Sequence, residues 1–263
     1  MASKNDTAMN LPVTTLKRGT NILDLKISPE LELRVSTGLP WVDDILGAGE
    51  KEQGVTPSTT ILMTGTPGAG KSTLSQQIAD GWTSQGNICL INGQEESWMQ
   101  MRKTSKRLKL KNGFIIGEDR LIPDVLLHAR SLIEKNPGRR LMLFIDSLQT
   151  HDDGFYSNGT TNSMTPVRVT KMVTEFCKET FSTAIIIGQV NKDGKFSGKQ
   201  QIKHEVDVHL HMMIDQKPSS ETYGKRLMKV EKNRFGFSQV GYFLGLNERG
   251  LYEDGAWSPV VDD

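Results

Sequence analysis

Apolar residues in this chain come in short runs that alternate with stretches of helical period. Runs of five to seven mostly apolar residues predict β-strands. They lie at residues 60–64, 88–92, 141–146, 184–190, 208–214, 226–231 and 240–246. The first four runs are nearly all apolar, which is typical of central strands covered on both faces. The last three follow one another without room for helices and therefore predict an antiparallel extension of the sheet.

The stretches between the strands predict helices with one apolar side. Two such stripes are Leu74, Ile78 and Trp82, and Val169, Met172, Val173 and Phe176. Strands that alternate with helices predict an α/β fold in which helices flank a mostly parallel central sheet. We assign residues 36–257 to one domain of this kind, residues 1–35 to an N-terminal arm and residues 258–263 to a C-terminal tail.

The composition is that of an ordinary globular chain. Of 263 residues, 36% are hydrophobic, and 32 basic residues stand against 31 acidic ones, for a net charge of +1. Contacts with a polyanion must therefore come from local clusters, not from a basic surface as a whole. The absence of a bilayer-length apolar run and of a signal-peptide core predicts a cytoplasmic protein without membrane contact. Cys89 and Cys177 each lie in an apolar stretch and are predicted to be reduced core thiols.

The strongest chemical signal follows the first predicted strand. Residues 65–72 are Gly-Thr-Pro-Gly-Ala-Gly-Lys-Ser and fit the GxxxxGK[ST] phosphate loop at each fixed position. Glycines let backbone N–H groups point at phosphate oxygens, and the following helix adds a favourable dipole. We predict that Lys71 neutralises the β- and γ-phosphates of a nucleoside triphosphate, that Ser72 binds Mg²⁺ and that Thr73 contacts the α-phosphate. The predicted nucleotide-binding set is Gly65, Thr66, Pro67, Gly68, Ala69, Gly70, Lys71, Ser72 and Thr73.

An aspartate closes the third predicted strand. Residues 141–146 form an apolar run that ends in Asp146. Because phosphate-loop enzymes hold Mg²⁺ with a second carboxylate, we predict that Asp146 binds the ion through its water shell. The alternative is an aspartate that caps a turn.

Two adjacent glutamates follow the second predicted strand. Glu95 and Glu96 stand at the carboxyl end of the strand at 88–92, which we expect to lie next to the phosphate-loop strand. Hydrolysis needs a base that deprotonates water beside the γ-phosphate, and we assign this role to Glu95. Stabilisation of the start of the following helix is the alternative explanation for the pair. Gln189, at the end of the strand at 184–190, is predicted to sense the γ-phosphate.

Two cations close the sixth predicted strand. Lys232 and Arg234 lie two residues apart and therefore face the same side. Such a pair suits insertion against the γ-phosphate of a neighbouring subunit. Taken alone, it is more typical of a solvated basic turn.

Several segments in a fixed order carry a resemblance to a known family. They are STGL (36–39) with VDDILG (42–47), the phosphate loop, GQEES (93–97), LFIDSLQT (143–150), IIGQVNKDGKFSGK (186–199), HEVD (204–207) and KNRFG (232–236). Together they resemble the ATPase core of the bacterial RadA (Sms) family over residues 36–253. KNRFG and the K-[DE]-G loop after the sensor strand separate this family from RecA itself.

The resemblance implies a RecA-like P-loop ATPase core. Members of the family are RecA-superfamily ATPases that resemble DnaB-type hexameric helicases and drive branch migration of recombination intermediates. We therefore expect a motor that hydrolyses ATP with Mg²⁺ and moves on single-stranded DNA in recombination and repair. The expected assembly is a homo-oligomeric ring, a hexamer by analogy, and a recombinase is a candidate partner.

The resemblance also implies roles for individual residues. Lys71 and Ser72 become triphosphate and magnesium ligands, Glu95 the water activator, Asp146 the magnesium partner, Gln189 the sensor, and Lys232 with Arg234 a finger that acts on the neighbouring subunit. This chain differs from the family at Gln189, where His is usual. It also has GQEES in place of GEES, which leaves the choice between Glu95 and Glu96 open. The family's four-Cys zinc finger and Lon-protease-like domain are not expected here.

The polar loop at 191–204 supplies candidate DNA contacts, because in the family this loop lines the ring channel. Its predicted DNA-binding residues are Lys192, Lys195, Phe196, Lys199 and Lys203. Several lysines from each subunit would give salt-sensitive binding that is independent of sequence, and Phe196 would stack on a base. A second basic segment, at 102–111, has six cations and no acid, and is either a solvated helix face or a surface for a partner or DNA.

Two other functions stay open at this point. One is a RecA-like strand-exchange filament, although the chain has no recognisable strand-exchange loop. The other is a KaiC-like ATPase switch that acts on protein partners. The lysines of the loop at 191–204 and the KNRFG segment favour the DNA motor over both.

Overall fold

Nine strands form one sheet in the part of the chain that the computed structural model describes, residues 18–49, 52–156, 158–190, 198–220 and 222–258. In chain order they are β1 (Thr60–Gly65), β2 (Ile88–Gly93), β3 (Ile115–Gly117), β4 (Leu141–Asp146), β5 (Thr183–Gly188), β6 (Val208–Ile214), β7 (Arg226–Asn233), β8 (Gly241–Asn247) and β9 (Gly250–Trp257). Their spatial order is β3-β2-β4-β5-β1-β6-β7-β8-β9.

Helices cover both faces of this sheet. In chain order they are α1 (Pro29–Glu32), α2 (Pro40–Leu46), α3 (Lys71–Ser84), α4 (Trp98–Arg107), α5 (Ile122–Lys135), α6 (Thr165–Thr180) and α7 (Gln200–Glu205). Apolar side chains of α2, α3 and α4 pack on one face, and those of α5, α6 and α7 pack on the other. None of the helices in these described ranges is long and apolar enough to cross a membrane.

The predicted change from parallel to antiparallel pairing is confirmed. In spatial order, the six strands from β3 through β6 pair in parallel. The strands from β6 through β9 pair in antiparallel fashion. Parallel neighbours need a crossover connection, whereas the last three strands are joined by loops too short for one. The chain therefore has the expected α/β fold, with a mostly parallel sheet and an antiparallel extension.

The expected position of β2 is wrong. β2 pairs with β3 and β4, and both β4 and β5 lie between it and the phosphate-loop strand β1. The crossover through α3 carries the chain past two strand positions that β4 and β5 fill later. Adjacency in sequence therefore does not give adjacency in the sheet here.

The hydrophobic pattern did not predict two of the strands, and a third strand ends earlier than predicted. β3 has only three residues, two of which are partly exposed isoleucines at a sheet edge. β9 mixes apolar, acidic and glycine residues without a clear period. β5 ends at Gly188, so Gln189 lies in the loop that follows the strand.

The core confirms the predicted apolar stripes. Leu74, Ile78 and Trp82 are at most 1% exposed on α3, and three of the four stripe residues on α6 are buried. The fourth, Met172, is partly buried against the same cluster. Both cysteines are buried and unpaired, and burial raises the pKa of Cys89 and raises that of Cys177 to about 12.

Candidate functional site

The phosphate loop starts at the carboxyl end of β1 and leads directly into α3. Gly68 and Gly70 have φ angles of 79° and 108°, which residues with a side chain rarely adopt. Gly65 lies so close to β6 that a Cβ atom would stand 2.2 Å from the Met212 carbonyl oxygen. The Thr66 N–H donates to the same oxygen at 3.1 Å, so the sheet holds the start of the loop.

The loop borders a pocket of about 550 Å³. The loop residues that line it are Gly65, Pro67, Gly68, Gly70, Lys71, Ser72 and Thr73. Ala69 is instead buried in the core, and Thr66 is not part of the lining. Glu95, Asp146 and Gln189 line the same pocket. The structure thus brings residues from four separate segments of the sequence to one cavity.

Lys71 extends across the inside of the loop. Its Nζ donates to the Gly65 carbonyl oxygen at 2.7 Å and to that of Thr66 at 3.3 Å. Burial lowers the pKa of the ammonium group, and the negative charges of Asp146 and Glu95 oppose that shift. The side chain is therefore held beside the loop amides, within the cavity that a triphosphate would enter.

Ser72 and Asp146 both line the pocket, where they place a hydroxyl and a carboxylate. A hydroxyl and a carboxylate are hard donors of the type that Mg²⁺ prefers, so this pair fits the predicted ion. Burial, together with the charges of Glu95 and Glu96, raises the pKa of Asp146 to about 6, and the charge of Lys71 opposes this shift. A cation bound beside Asp146 would relieve this unfavourable charge.

The two adjacent glutamates occupy different surroundings. Glu95 lines the pocket, and its Oε1 accepts hydrogen bonds from the Gln189 amide at 2.6 Å and from the Ser147 hydroxyl. Glu96 is not in the lining, and partial burial raises the pKa of its carboxyl group. Of the two, Glu95 is the one that reaches the pocket, the position that the predicted base requires.

Sequence reasoning missed four residues of the pocket lining: Ser147, Ile187, Val190 and Leu246. Ser147 follows Asp146 directly and orients Glu95, and this position after a strand-closing carboxylate is the signal that would have indicated it. Leu246 lines the pocket from β8. No sequence pattern indicates Leu246, because its strand reaches the cavity only through the antiparallel extension of the sheet.

Lys232 and Arg234 lie far from the pocket of their own chain. In the register of β6 and β7, Lys232 stands opposite His209 near the start of β6. The phosphate loop begins opposite Met212, three residues or roughly 10 Å further along β6. Both side chains donate to the carbonyl oxygen of His204, at 3.3 Å and 3.0 Å. Arg234 also pairs with the buried carboxylate of Asp207 at 3.0 Å. The two cations therefore share one side of the molecule, and neither lines the pocket of its own chain.

The candidate DNA-binding loop is only partly within the described residues. Lys192, Lys195 and Phe196 lie outside them. Lys199 is exposed just before α7, with its Nζ 2.9 Å from the Met164 sulfur. Lys203, on α7, pairs with Glu231 at 3.4 Å.

The second basic segment falls on α4 and the turn after it. All six of its cations are exposed: Arg102, Lys103, Lys106, Arg107, Lys109 and Lys111. Lys109 pairs with Glu248 at 3.2 Å. This exposure suits a solvated face and a binding surface equally, so both explanations stand.

Comparisons with known proteins agree with this geometry. No protein-family model matches the chain. A solved KaiC-like protein from Pyrococcus horikoshii has the same fold, with a TM-score of 0.65 over 85% of this chain and 99% of that one, at 18% identity. Together with the phosphate loop, this fold defines a RecA-like P-loop protein.

Sequence similarity narrows the class further. The DNA repair protein RadA of Aquifex aeolicus is 31% identical over 255 residues, 95% of this chain and 50% of that protein. The RadA proteins of Mycobacterium tuberculosis and Escherichia coli are each 32% identical over 230 residues, 85% and 86% of this chain. The chain is a RadA-like protein, and it spans about half the length of the curated relatives it matches.

Replacement of Asp146 by asparagine is expected to stabilise the protein in buffer free of nucleotide and metal. The pKa of Asp146 is about 6 in the folded protein and near 3.8 in an unfolded chain. Burying the ionised carboxylate therefore lowers the stability of the folded protein. This penalty is fully present above about pH 6 and disappears below about pH 4, where the group is protonated in both states. We expect Asp146→Asn to gain about 1 to 3 kcal/mol at pH 8 and almost nothing at pH 4.

Thermal unfolding at pH 4, 6 and 8 measures this difference. The exposed Asp254 provides the control, because Asp254→Asn should leave the unfolding temperature unchanged at every pH. Equal stability of Asp146→Asn and the wild type at pH 8 would contradict the expected penalty on the carboxylate.

Proposed function

We propose that this chain is an ATP-dependent, DNA-binding motor of the RadA type. It hydrolyses ATP to translocate on single-stranded DNA or to drive branch migration in recombination and repair. The observation that carries the proposal is the meeting of Lys71, Ser72, Asp146 and Glu95 in one pocket. The DNA repair proteins to which the chain is similar support the link to DNA.

Each residue of the pocket has a distinct task in this proposal. Loop amides and Lys71 bind the β- and γ-phosphates, while Ser72 and Asp146 hold Mg²⁺. When bound, the ion neutralises charge that develops on the phosphate oxygens. Glu95 accepts the proton of the attacking water. Because the Gln189 amide donates to Glu95 at 2.6 Å, a γ-phosphate that attracts this amide would free the carboxylate for that task.

The finger role of Lys232 and Arg234 requires a second subunit. Their distance from their own phosphate loop is the observation that supports action on a neighbour. A ring of identical subunits, a hexamer by analogy with helicases, would place each pair against the next pocket. Lys199 and Lys203, with the lysines at 192 and 195 and Phe196, would bind the DNA strand.

The proposal is tested by ATPase activity with and without single-stranded DNA. We expect DNA to stimulate hydrolysis by the wild type, with a stimulation that falls steeply as salt rises. Lys71→Ala should reduce hydrolysis to background while leaving the fold intact, because the lysine stabilises phosphate charge and no part of the core. Activity that ignores DNA would contradict the motor and favour an ATPase switch acting on proteins, and wild-type turnover by Lys71→Ala would contradict the site.

Glu95→Gln and Glu96→Gln separate the two candidate bases. Glu95→Gln should retain ATP binding and assembly but slow hydrolysis by about 10² to 10⁴, because glutamine cannot accept the proton of water. Glu96→Gln, the matched control, should have a much smaller effect because Glu96 is not in the pocket lining. Single-turnover hydrolysis and nucleotide affinity measure both properties, and the opposite ranking would assign the base to Glu96.

Mixing two inactive variants tests the finger. Arg234→Ala alone should lose roughly 10³-fold or more in turnover, as removal of an arginine finger does. A mixture with Lys71→Ala protein should regain activity, because a mixed ring pairs an intact phosphate loop with an intact finger on the next subunit. Subunit exchange is first verified with labelled protein. With exchange verified, a mixture no more active than its components would exclude action across the interface.

A further inference from the structure

A chain of buried polar side chains crosses the face of the sheet that α7 covers, from β1 to β7. The Thr64 hydroxyl, which is inaccessible to solvent, lies 2.8 Å from His209 Nε2. The other ring nitrogen of His209 lies 3.0 Å from the Glu231 carboxylate. Buried polar groups cost free energy unless they are paired, so a network here calls for a purpose beyond packing.

Donor chemistry fixes the direction at the Glu231 end of the network. The Glu231 carboxylate only accepts, so His209 Nδ1 donates to it, and the other ring nitrogen lies within hydrogen-bond distance of the Thr64 hydroxyl. Thr64 Oγ1 is also 2.8 Å from His211 Nδ1, so the hydroxyl is hydrogen-bonded to both histidines of β6. Burial lowers the pKa of His211 to about 4, which keeps that ring neutral. Every polar side chain of the network therefore has a hydrogen-bond partner.

Glu231 is the charged end of the network. Lys203 on α7 and Lys229 on β7 approach its carboxylate at 3.4 Å and 3.3 Å. The hydrogen bond from His209 lowers the pKa of Glu231 most, burial opposes this, and the nearby charges of His209 and Lys203 lower it further. The carboxylate is therefore ionised and shared among three donors.

The network joins three parts of the proposed motor. Thr64 directly precedes Gly65, whose carbonyl oxygen holds Lys71. Lys203 lies on α7, the helix that follows the candidate DNA-binding loop. Lys232, the residue after Glu231, donates to the carbonyl oxygens of Lys203 and Val206 at 2.8 Å and 2.6 Å. One polar chain therefore connects the start of the phosphate loop, the end of the DNA-binding loop and the finger.

We propose that Thr64, His209 and Glu231 are positioning residues that couple DNA binding at α7 to the phosphate loop, an inference that rests on the proposed function. Lys203 supplies the two states that such coupling needs: paired with Glu231 without DNA, and paired with a DNA phosphate when DNA binds. When Lys203 pairs with DNA, the Glu231 carboxylate keeps only His209 and Lys229 as partners. The carboxylate then moves toward His209, which shifts the hydrogen bond to Thr64 and the loop that begins one residue later.

Thr64→Val tests the coupling, because valine has nearly the shape of threonine and lacks the hydroxyl. We expect its DNA affinity, its KM for ATP and its ATPase rate without DNA to stay within about twofold of the wild type. The stimulation by DNA should fall by roughly fivefold or more, the lower end of typical coupling between sites. Thr64→Ser, which restores a hydroxyl, should restore the stimulation.

Thr60→Val is the matched control. Thr60 lies four residues earlier on the same face of β1 and is equally buried, whereas the hydrogen bonds of β1 side chains to the two histidines come from Thr64. It should keep the full stimulation. Glu231→Gln removes the charge from the other end of the network and should lose stimulation as Thr64→Val does, with the double variant no worse than either single one. Thermal unfolding verifies that each variant is folded.

The outcomes separate the coupling from the proposed function. Full stimulation in Thr64→Val, or equal loss in Thr60→Val, would overturn the coupling while the motor stands. Additive losses in the double variant would overturn it as well, because independent defects do not share one path. A wild type whose ATPase is not stimulated by bound DNA would overturn both the coupling and the motor.

Discussion

The parallel pairing of β1 with β6 continues past the end of the strand, and the site depends on it. The Thr66 N–H donates to the Met212 carbonyl oxygen, against which only a glycine fits at position 65. The first residues of the phosphate loop are therefore part of the sheet, and the amides that follow start from a fixed direction. The same pairing brings the two histidines of β6 beside Thr64.

Charge in the pocket is arranged for a bound cation. Burial raises the pKa of Asp146 and of Glu96. The charges of Glu95 and Glu96 raise the pKa of Asp146 as well, and one ammonium group, that of Lys71, opposes them. Three carboxylates that approach each other at low dielectric are unfavourable unless a further positive charge joins them. A nucleotide bound together with Mg²⁺, as proposed for this pocket, would supply that charge. The stability given up by this arrangement is characteristic of sites built for binding.

The sequence predicted most of this structure because its strongest patterns are local. The strand at 60–64, the stripe on α3 and the phosphate-loop motif each depend on neighbours a few residues apart. The strand and the stripe are confirmed, and the motif lies between a strand and a helix as its pattern requires. The position of β2 was wrong because strand order depends on crossovers that periodicity does not encode. The network of Thr64, His209 and Glu231 could not be predicted either, since it joins residues up to 167 positions apart that meet only through the register of three strands.

The burial of both cysteines has a practical consequence. The two thiols of the chain are enclosed in the core and hard to ionise, so a thiol reagent that needs the thiolate will find neither in the folded protein. A cysteine engineered at an exposed position would then be the single reactive handle. Fluorescent labels could be attached there without removing a native residue, and slow reaction of the native thiols would report how often the core opens.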